Sequence, residues 1–267
     1  KDIGKPFKLS KESKVLPDNI GYLRIYSQRN DELLNSIDPL MNQFKDTKAL
    51  IIDARQCGGG RRYNLRALFP YFMNESDGSY IANLAKYRIP NSQKDFDPIG
   101  KLGVENKNLR HVTNPIVTNQ EKAAFNQLMK DFKPSWQPKS GDFTDWYFMP
   151  LKAEVDKYHY SKPVYLLIDW GVGSAGDIFT SAFKSWRNVT LVGAATNGRS
   201  GQSRNFVLNF SQIPVKLSTM ASFQRTGQKY DWVGIQPDVY MEAEMSDWLG
   251  QSDSQLDKVI KLIQEQQ

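Results

Sequence analysis

A single serine stands where an apolar segment gives way to small residues, in the stretch IDWGVGSAGD at 168–177. Ser174 lies between Gly173 and Ala175, and the amphipathic segment that follows predicts a helix beginning there. A tight turn is the ordinary interpretation of such a stretch. The chemical interpretation is a nucleophile, because a helix N-terminus presents free N–H groups and a positive dipole end to a developing oxyanion. The serine hydroxyl would also need a base to remove its proton.

The most familiar serine motif of α/β enzymes does not fit these residues. The hydrolase elbow is G-x-S-x-G, and Val172 stands where its first glycine belongs. That fold also places its histidine after the serine, whereas the two histidines of this chain, His111 and His159, both precede Ser174. The sequence therefore excludes the α/β-hydrolase family.

A second candidate element is the stretch DARQCGGG at 53–60. Gly58, Gly59 and Gly60 follow an apolar strand, and such a backbone is free to adopt positive φ and to present N–H groups to an anion. A plain tight turn is the alternative. A nucleotide-binding loop that uses these glycines with Arg61 and Arg62 is a weaker alternative, because neither phosphate-loop motif is present.

The elements that must position these residues alternate between strands and helices. Two continuous apolar runs, 48–55 and 162–170, are typical of strands buried on both faces. This alternation predicts an α/β fold with a mainly parallel sheet. The other predicted strands are 19–26 and 188–195, with a hairpin over 206–219, and the predicted helices are 31–44 (interrupted by Pro39), 63–73 (ending near Pro70), 175–186 and 254–266.

Residues 75–160 do not follow this rhythm. The stretch is polar and rich in proline, with no clear period apart from a helix predicted at 119–132. We interpret it as an irregular insertion or subdomain on a single core domain that spans residues 1–267. Its aromatic residues are expected to pack that subdomain rather than to line a cleft.

Composition narrows the classes of function. The formal net charge is +6, but the basic residues are scattered among acids, which argues against nucleic acid as a partner. The single cysteine, Cys57, excludes an internal disulfide framework and a cysteine-built zinc site. No apolar run is long enough to span a bilayer. The chain opens on Lys1 without a signal peptide, which suggests a mature form or a piece of something longer.

Four motifs in a fixed order give the sequence its most specific feature. They are ALIIDAR with Gly59 and Gly60, the segment from Lys162 to Asp177, VGAATNG at 192–198, and GIQPDV at 234–239. In this order they resemble the S41 family of serine peptidases, the C-terminal-processing and tricorn-core group. NIGYLRI at 19–25 resembles the family's opening strand, so that the likeness covers residues 19–73 and 162–242.

The resemblance implies a ClpP/crotonase-like α/β core and a peptidase that cuts peptide bonds near polypeptide C-termini. It implies a nucleophile at Ser174 and an oxyanion hole from the N–H groups of Gly59, or Gly58, and Ala175. The substrate would be a peptide or protein, with no metal and no cofactor. The resemblance also implies an extracytoplasmic location, whether periplasmic, secreted or membrane-anchored.

The sequence departs from the family at the general base. One branch pairs the serine with a lysine, where this chain has Arg199, and a guanidinium does not give up its proton. Arg199 is instead expected to bind a substrate carboxylate. The other branch uses a histidine in an upstream domain, together with an acid near the position of Asp231. That upstream histidine motif and any PDZ-like segment are missing from these residues, so we expect a further domain of the same protein to supply the base.

Three residues inside the chain remain as alternatives. His111, His159 or a lysine could be the base, although a lone histidine in such a segment is usually a surface or capping residue. Cys57 is expected to be a small buried residue. Asp177, in the first turn of the helix that follows Ser174, is expected to cap that helix.

The alternative function is a catalytically inactive domain of the same fold that binds peptides or apolar ligands.

Overall fold

Short apolar segments separated by helices form the central sheet. The computed structural model describes residues 9–89, 108–184 and 186–265. In chain order its elements are β1 (Lys14–Leu16), β2 (Ile20–Arg24), α1 (Asp31–Phe44), β3 (Ala49–Asp53), α2 (Tyr63–Leu68), β4 (Ser79–Tyr87), β5 (Arg110–His111), α3 (Asn119–Asp131), β6 (Tyr147–Lys152), β7 (Val164–Ile168), α4 (Ala175–Phe183), β8 (Val189–Gly193), β9 (Ser203–Val207), β10 (Pro214–Ser218), β11 (Met220–Gln224), β12 (Val239–Tyr240), α5 (Met245–Trp248) and α6 (Ser254–Glu265).

The chain divides into two units. Within the described residues, the first unit takes 9–68, 160–197 and 234–265, and the second takes 69–159 and 198–233. Residues 75–159 of the stretch that we interpret as an insertion therefore belong to the second unit, together with a segment from much later in the chain. Residues 90–107 of that stretch lie outside the described part.

The first unit contains a six-stranded sheet in the order β1-β2-β3-β7-β8-β12. The pairs from β2 to β12 are all parallel, and only β1 is antiparallel to its neighbour. Every residue of β2, β3 and β7 is buried, as the continuous apolar runs predict for β3 and β7. The apolar stripe of α6, through Val259 and Ile263, packs against one face of the sheet. The expected α/β core with a mainly parallel sheet and flanking helices is confirmed.

Buried charges tie the end of β3 to α6. Arg55 donates from Nη2 to Asp53 at 2.6 Å and from Nη1 to Asp253, just before α6, at 2.7 Å. Arg24 donates to the backbone oxygens of Asp53 and Arg55. Burial by itself would raise the pKa of Asp53, but the two guanidinium groups outweigh it and hold that pKa below its usual value. The network fixes the backbone from which the glycine-rich loop starts.

The two prolines in predicted helices have different effects. Helix α1 runs unbroken through Pro39, so the expected interruption there is wrong. Asn35, whose carbonyl would bond to an N–H at position 39, is exposed, and water can satisfy that carbonyl. Helix α2 ends at Leu68, close to Pro70 as predicted, because a proline disfavours helical backbone at the residue before it.

The second unit contains a four-stranded sheet in the order β11-β4-β6-β5, with helix α3 where a helix at 119–132 is predicted. Phe125 of α3 stacks on Phe148 of β6 in a small apolar core. The stretch expected to be irregular thus contains regular antiparallel strands in its described part. Alternation fails to show them because β4 has a bulge between Ile81 and Asn83 and β6 is buried along four consecutive residues. The second unit also contains the two-stranded β9–β10 hairpin.

Candidate active site

The turn from β7 into α4 holds Ser174 in a backbone conformation that residues other than glycine rarely adopt. Strand β7 ends at Ile168, helix α4 begins at Ala175, and Ser174 is the residue before the helix. Its backbone has φ 59° and ψ −120°. A non-glycine residue held there costs about 1–3 kcal/mol, and such strain persists only where the surroundings impose it. Strain of this kind concentrates at functional sites, which makes Ser174 the principal candidate.

The glycine-rich loop after β3 lies directly against Ser174. A Cβ added to Gly59 would come within 2.6 Å of the Gly173 carbonyl oxygen and 2.6 Å of the Ser174 Cβ, and 3.1 Å from the Ala175 nitrogen. Gly59 also has φ +99°, which disfavours any side chain. Gly58 differs, because a Cβ added there would meet nothing within 4 Å. Close approach of the two loops therefore requires glycine at 59 but not at 58.

Two hydrogen bonds connect these loops. The Gly173 N–H donates to the Cys57 carbonyl at 3.1 Å, and the Gln56 N–H donates to Asp169 Oδ1 at 2.8 Å. The strands that precede the loops, β3 and β7, are adjacent and parallel, so both loops leave the same edge of the sheet. Residues more than a hundred positions apart are in this way held beside one another.

Asp177 anchors the serine backbone from the first turn of α4. Its Oδ2 accepts from the Ser174 N–H at 2.8 Å, and its Oδ1 accepts from the Thr196 hydroxyl at 2.6 Å. The Thr196 oxygen in turn accepts from the Ile235 N–H at 2.8 Å. Asp177 is fully buried. Beyond the capping role expected from sequence, it connects the serine turn with the segments after β8 and before β12.

Asp169 is a site residue that the sequence analysis missed. Burial and the charge of Asp53 raise its pKa, whereas the Gln56 and Gly171 N–H groups oppose that rise. The available sign was its position at the end of a buried strand, immediately before the serine loop. Cys57 is fully buried, and burial raises the pKa of its thiol, so it is a neutral, packed side chain rather than a nucleophile.

The remaining candidates belong to the second unit. Arg199 is exposed, and Asp231 is half-buried and lines a cavity of that unit. His111 is half-buried, with Nδ1 2.7 Å from the Thr113 hydroxyl and its ring beside Tyr147, whereas His159 is exposed. The first unit thus brings together Gly58, Gly59, Ser174 and Ala175, and the other four residues are placed by the second unit's own elements.

Metal and membrane features can be assessed in the described part of the chain. Among residues 9–89, 108–184 and 186–265, no three His, Cys, Asp or Glu side chains cluster as metal ligands would. Within the same residues, no helix combines the length and the apolar character required to cross a bilayer.

Comparison with known proteins identifies a matching family and several similar solved structures. A model described as peptidase family S41 matches residues 19–241. A candidate peptidase from Parabacteroides merdae is 21% identical with a TM-score of 0.65, and the match covers 94% of this chain and 63% of that one. Mature CPAF complexed with lactacystin is 19% identical with a TM-score of 0.62, covering 94% and 53%. The photosystem II D1 C-terminal processing protease is 14% identical with a TM-score of 0.50, covering 85% and 45%.

The mainly parallel sheet, with Ser174 at the start of α4 beside the glycine-rich loop, defines an α/β protein. The match over residues 19–241 is most of the chain, and the protein belongs to peptidase family S41. The resemblance inferred from the four motifs is confirmed. The chain spans less than two thirds of the length of each of these three solved structures.

Proposed function

We propose that this protein is a serine peptidase and that Ser174 is its nucleophile. Membership of family S41 supports a peptidase function, and the observation that carries the assignment of Ser174 is its strained backbone against Gly59. Ser174 Oγ attacks the carbonyl carbon of a peptide bond as a base takes the hydroxyl proton. The amine leaves with a proton, and water then hydrolyses the acyl-serine to release the carboxylate product.

The N–H groups of Ala175 and of Gly59, or Gly58, serve as the oxyanion hole. Ala175 is the first residue of α4, where backbone N–H groups have no partner within the helix. Position 59 lies so close to the Ser174 Cβ that only glycine fits there, which favours this loop as the source of the second N–H donor. Rigid donors of this kind contribute about 3–4 kcal/mol each to transition-state stabilisation.

The general base in this proposal is a histidine outside these 267 residues, in a further domain of the same protein. Support comes from Arg199, which stands in the lysine position of the resemblance and stays protonated. His111, at the end of β5, already contacts the Thr113 hydroxyl through Nδ1. Asp231, near the position of the family's acid, orients the base, and Arg199, whose guanidinium stays protonated, holds a substrate carboxylate.

The substrate in this proposal is a polypeptide cut near its C-terminus. The resemblance and the similarity to a C-terminal processing protease support this assignment. We assign the protein an extracytoplasmic location on the family resemblance alone.

A fluorophosphonate probe tests the nucleophile, because it phosphonylates an activated serine. In the natural full-length protein, Ser174→Ala is expected to abolish labelling, and Ser211→Ala, at an exposed serine of the second unit, is expected to leave it unchanged. Residues 1–267 alone are expected to label slowly or not at all. Labelling that survives Ser174→Ala would assign the nucleophile elsewhere, and fast labelling of residues 1–267 would assign the base to His111, His159 or a lysine.

A further inference from the structure

The β9–β10 hairpin of the second unit has one apolar face. Leu208 donates to the Ile213 carbonyl and Thr219 donates to the Gln202 carbonyl, which fixes the alternation of bonded pairs along the two strands. Directly opposed residues share a face. One face therefore carries Arg204, which lies opposite Leu217, and five apolar side chains: Phe206, Leu208, Ile213, Val215 and Leu217.

This face is open in the structure. Phe206, Leu208, Ile213 and Leu217 are each between 45% and 54% exposed, and Phe210 at the tip is fully exposed. A cavity of about 410 Å³ adjoins the face, with walls formed by Phe206, Leu217, Trp136, Phe143 and Met220. An exposed apolar patch of this extent next to a cavity is typical of an interaction site.

The free edge of the hairpin belongs to β9. In the register described, the backbone groups of Ser203, Asn205 and Val207 point away from β10, and within the described residues β9 pairs with no other strand. The opposite edge is blunted by Pro214, which has no N–H. An extended chain that adds to β9 would place alternate side chains on the apolar face.

Charge distinguishes between the possible occupants. Residues 198–233 contain five basic residues and one acid, and the hairpin itself contains Arg204 and Lys216 with no acid. A second copy of the hairpin would bring like charges together. A segment with acidic residues would be attracted instead.

We infer that the apolar face and the β9 edge bind an extended, acidic segment of the substrate polypeptide, in which every second residue is apolar. This inference rests on the proposed function, because it names the class of substrate. The apolar residues of the segment pack on Phe206 and Leu217 and enter the cavity. Its acidic residues lie on the opposite face, the face of Asn205 and Lys216.

Binding is measured by fluorescence anisotropy in a Ser174→Ala background, which prevents cleavage. The probe is fluorescein-labelled Glu-Val-Glu-Leu-Glu-Val-Glu-Leu, and the control peptide groups the same residues as Val-Leu-Val-Leu-Glu-Glu-Glu-Glu. The alternating peptide is expected to bind more tightly. Phe206→Ser is expected to weaken its binding about tenfold, since much of one aromatic contact is lost. Lys216→Glu is also expected to weaken binding of the alternating peptide, and this loss of affinity is expected to be larger at low salt than at high salt.

Val155→Ser is the matched control, because Val155 is a 92% exposed apolar residue of the same unit, and it is expected to bind the peptide as the parent does. Leu217→Ser repeats the Phe206 test at a second position, and thermal unfolding checks that each variant folds. Equal binding of the two peptides, or unchanged binding by both Phe206→Ser and Leu217→Ser, would overturn the inference. The inference would also be overturned if the peptide does not bind and Phe206 is instead required for self-association or for binding to anionic phosphatidylglycerol vesicles.

The proposed function and this inference fail separately. Absence of probe labelling at Ser174 in the natural protein refutes the nucleophile and leaves peptide binding to be judged by anisotropy. Normal labelling combined with peptide binding that ignores the hairpin variants refutes the inference alone.

Discussion

Adding one methyl group at Gly59 should damage the candidate oxyanion hole, whereas the same change at Gly58 should not. Alanine at 59 would be held at φ +99°, which costs about 1–3 kcal/mol. Its Cβ would also come 2.6 Å from the Gly173 oxygen and the Ser174 Cβ, and overpacking of this kind adds about 1–3 kcal/mol. We expect the melting temperature of Gly59→Ala to fall by on the order of 10 °C.

The loop must move to relieve that contact, and the reaction rate should report the movement. A displacement of about 1 Å at a reacting centre costs about 100-fold in rate, so fluorophosphonate labelling of Ser174 in Gly59→Ala should slow by about that factor. Gly58→Ala meets no atom within 4 Å, and its stability should stay within about 1 kcal/mol of the parent with labelling unchanged. Both rates are measured in the natural full-length protein well below the melting temperature. Equal labelling by Gly59→Ala and the parent, or equal damage at both positions, would refute the reasoning.

Two further predictions concern buried acids of the first unit. Asp177→Ala should lower the free energy of unfolding by about 2–4 kcal/mol, because the Ser174 N–H and the Thr196 hydroxyl lose a buried carboxylate. In the same urea titration, Asp257→Ala, which removes an exposed acid in the first turn of α6, should lower it by less than about 1 kcal/mol. At Asp247, burial opposes ionisation, but hydrogen bonds from Ser254, Ser252 and Glu244 outweigh it and lower the pKa to about 2. The stabilisation by Asp247 should therefore be complete above about pH 4 and lost as the pH falls toward 2. The difference in the free energy of unfolding between the parent and Asp247→Asn, measured by urea unfolding, should shrink over that range. A difference that is constant from pH 5 to about 2 would contradict the assignment.

Features that depend on neighbouring residues could be predicted from the sequence. The runs at 48–55 and 162–170 are continuously apolar over 49–52 and 163–168, because strands buried on both faces are rich in apolar residues, and β3 and β7 have that burial. Helices α3 and α6 follow from apolar residues at helical spacing. The order of four short motifs was enough to identify family S41, because three of them join a strand to the loop after it and the fourth, GIQPDV, leads into β12.

Features that depend on distant segments came only from the tertiary structure. β4 pairs with β11, more than a hundred residues further along the chain, and no local period records such a pairing. The 2.6 Å approach of a Cβ at Gly59 to Ser174, and the hydrogen bond from Gln56 to Asp169, exist because β3 and β7 are adjacent in the sheet. The sequence by itself determined that a serine would begin a helix after a buried strand. Packing of the parallel strands decided what would face it, because loops at one sheet edge are brought together by strand order, which a local pattern does not encode.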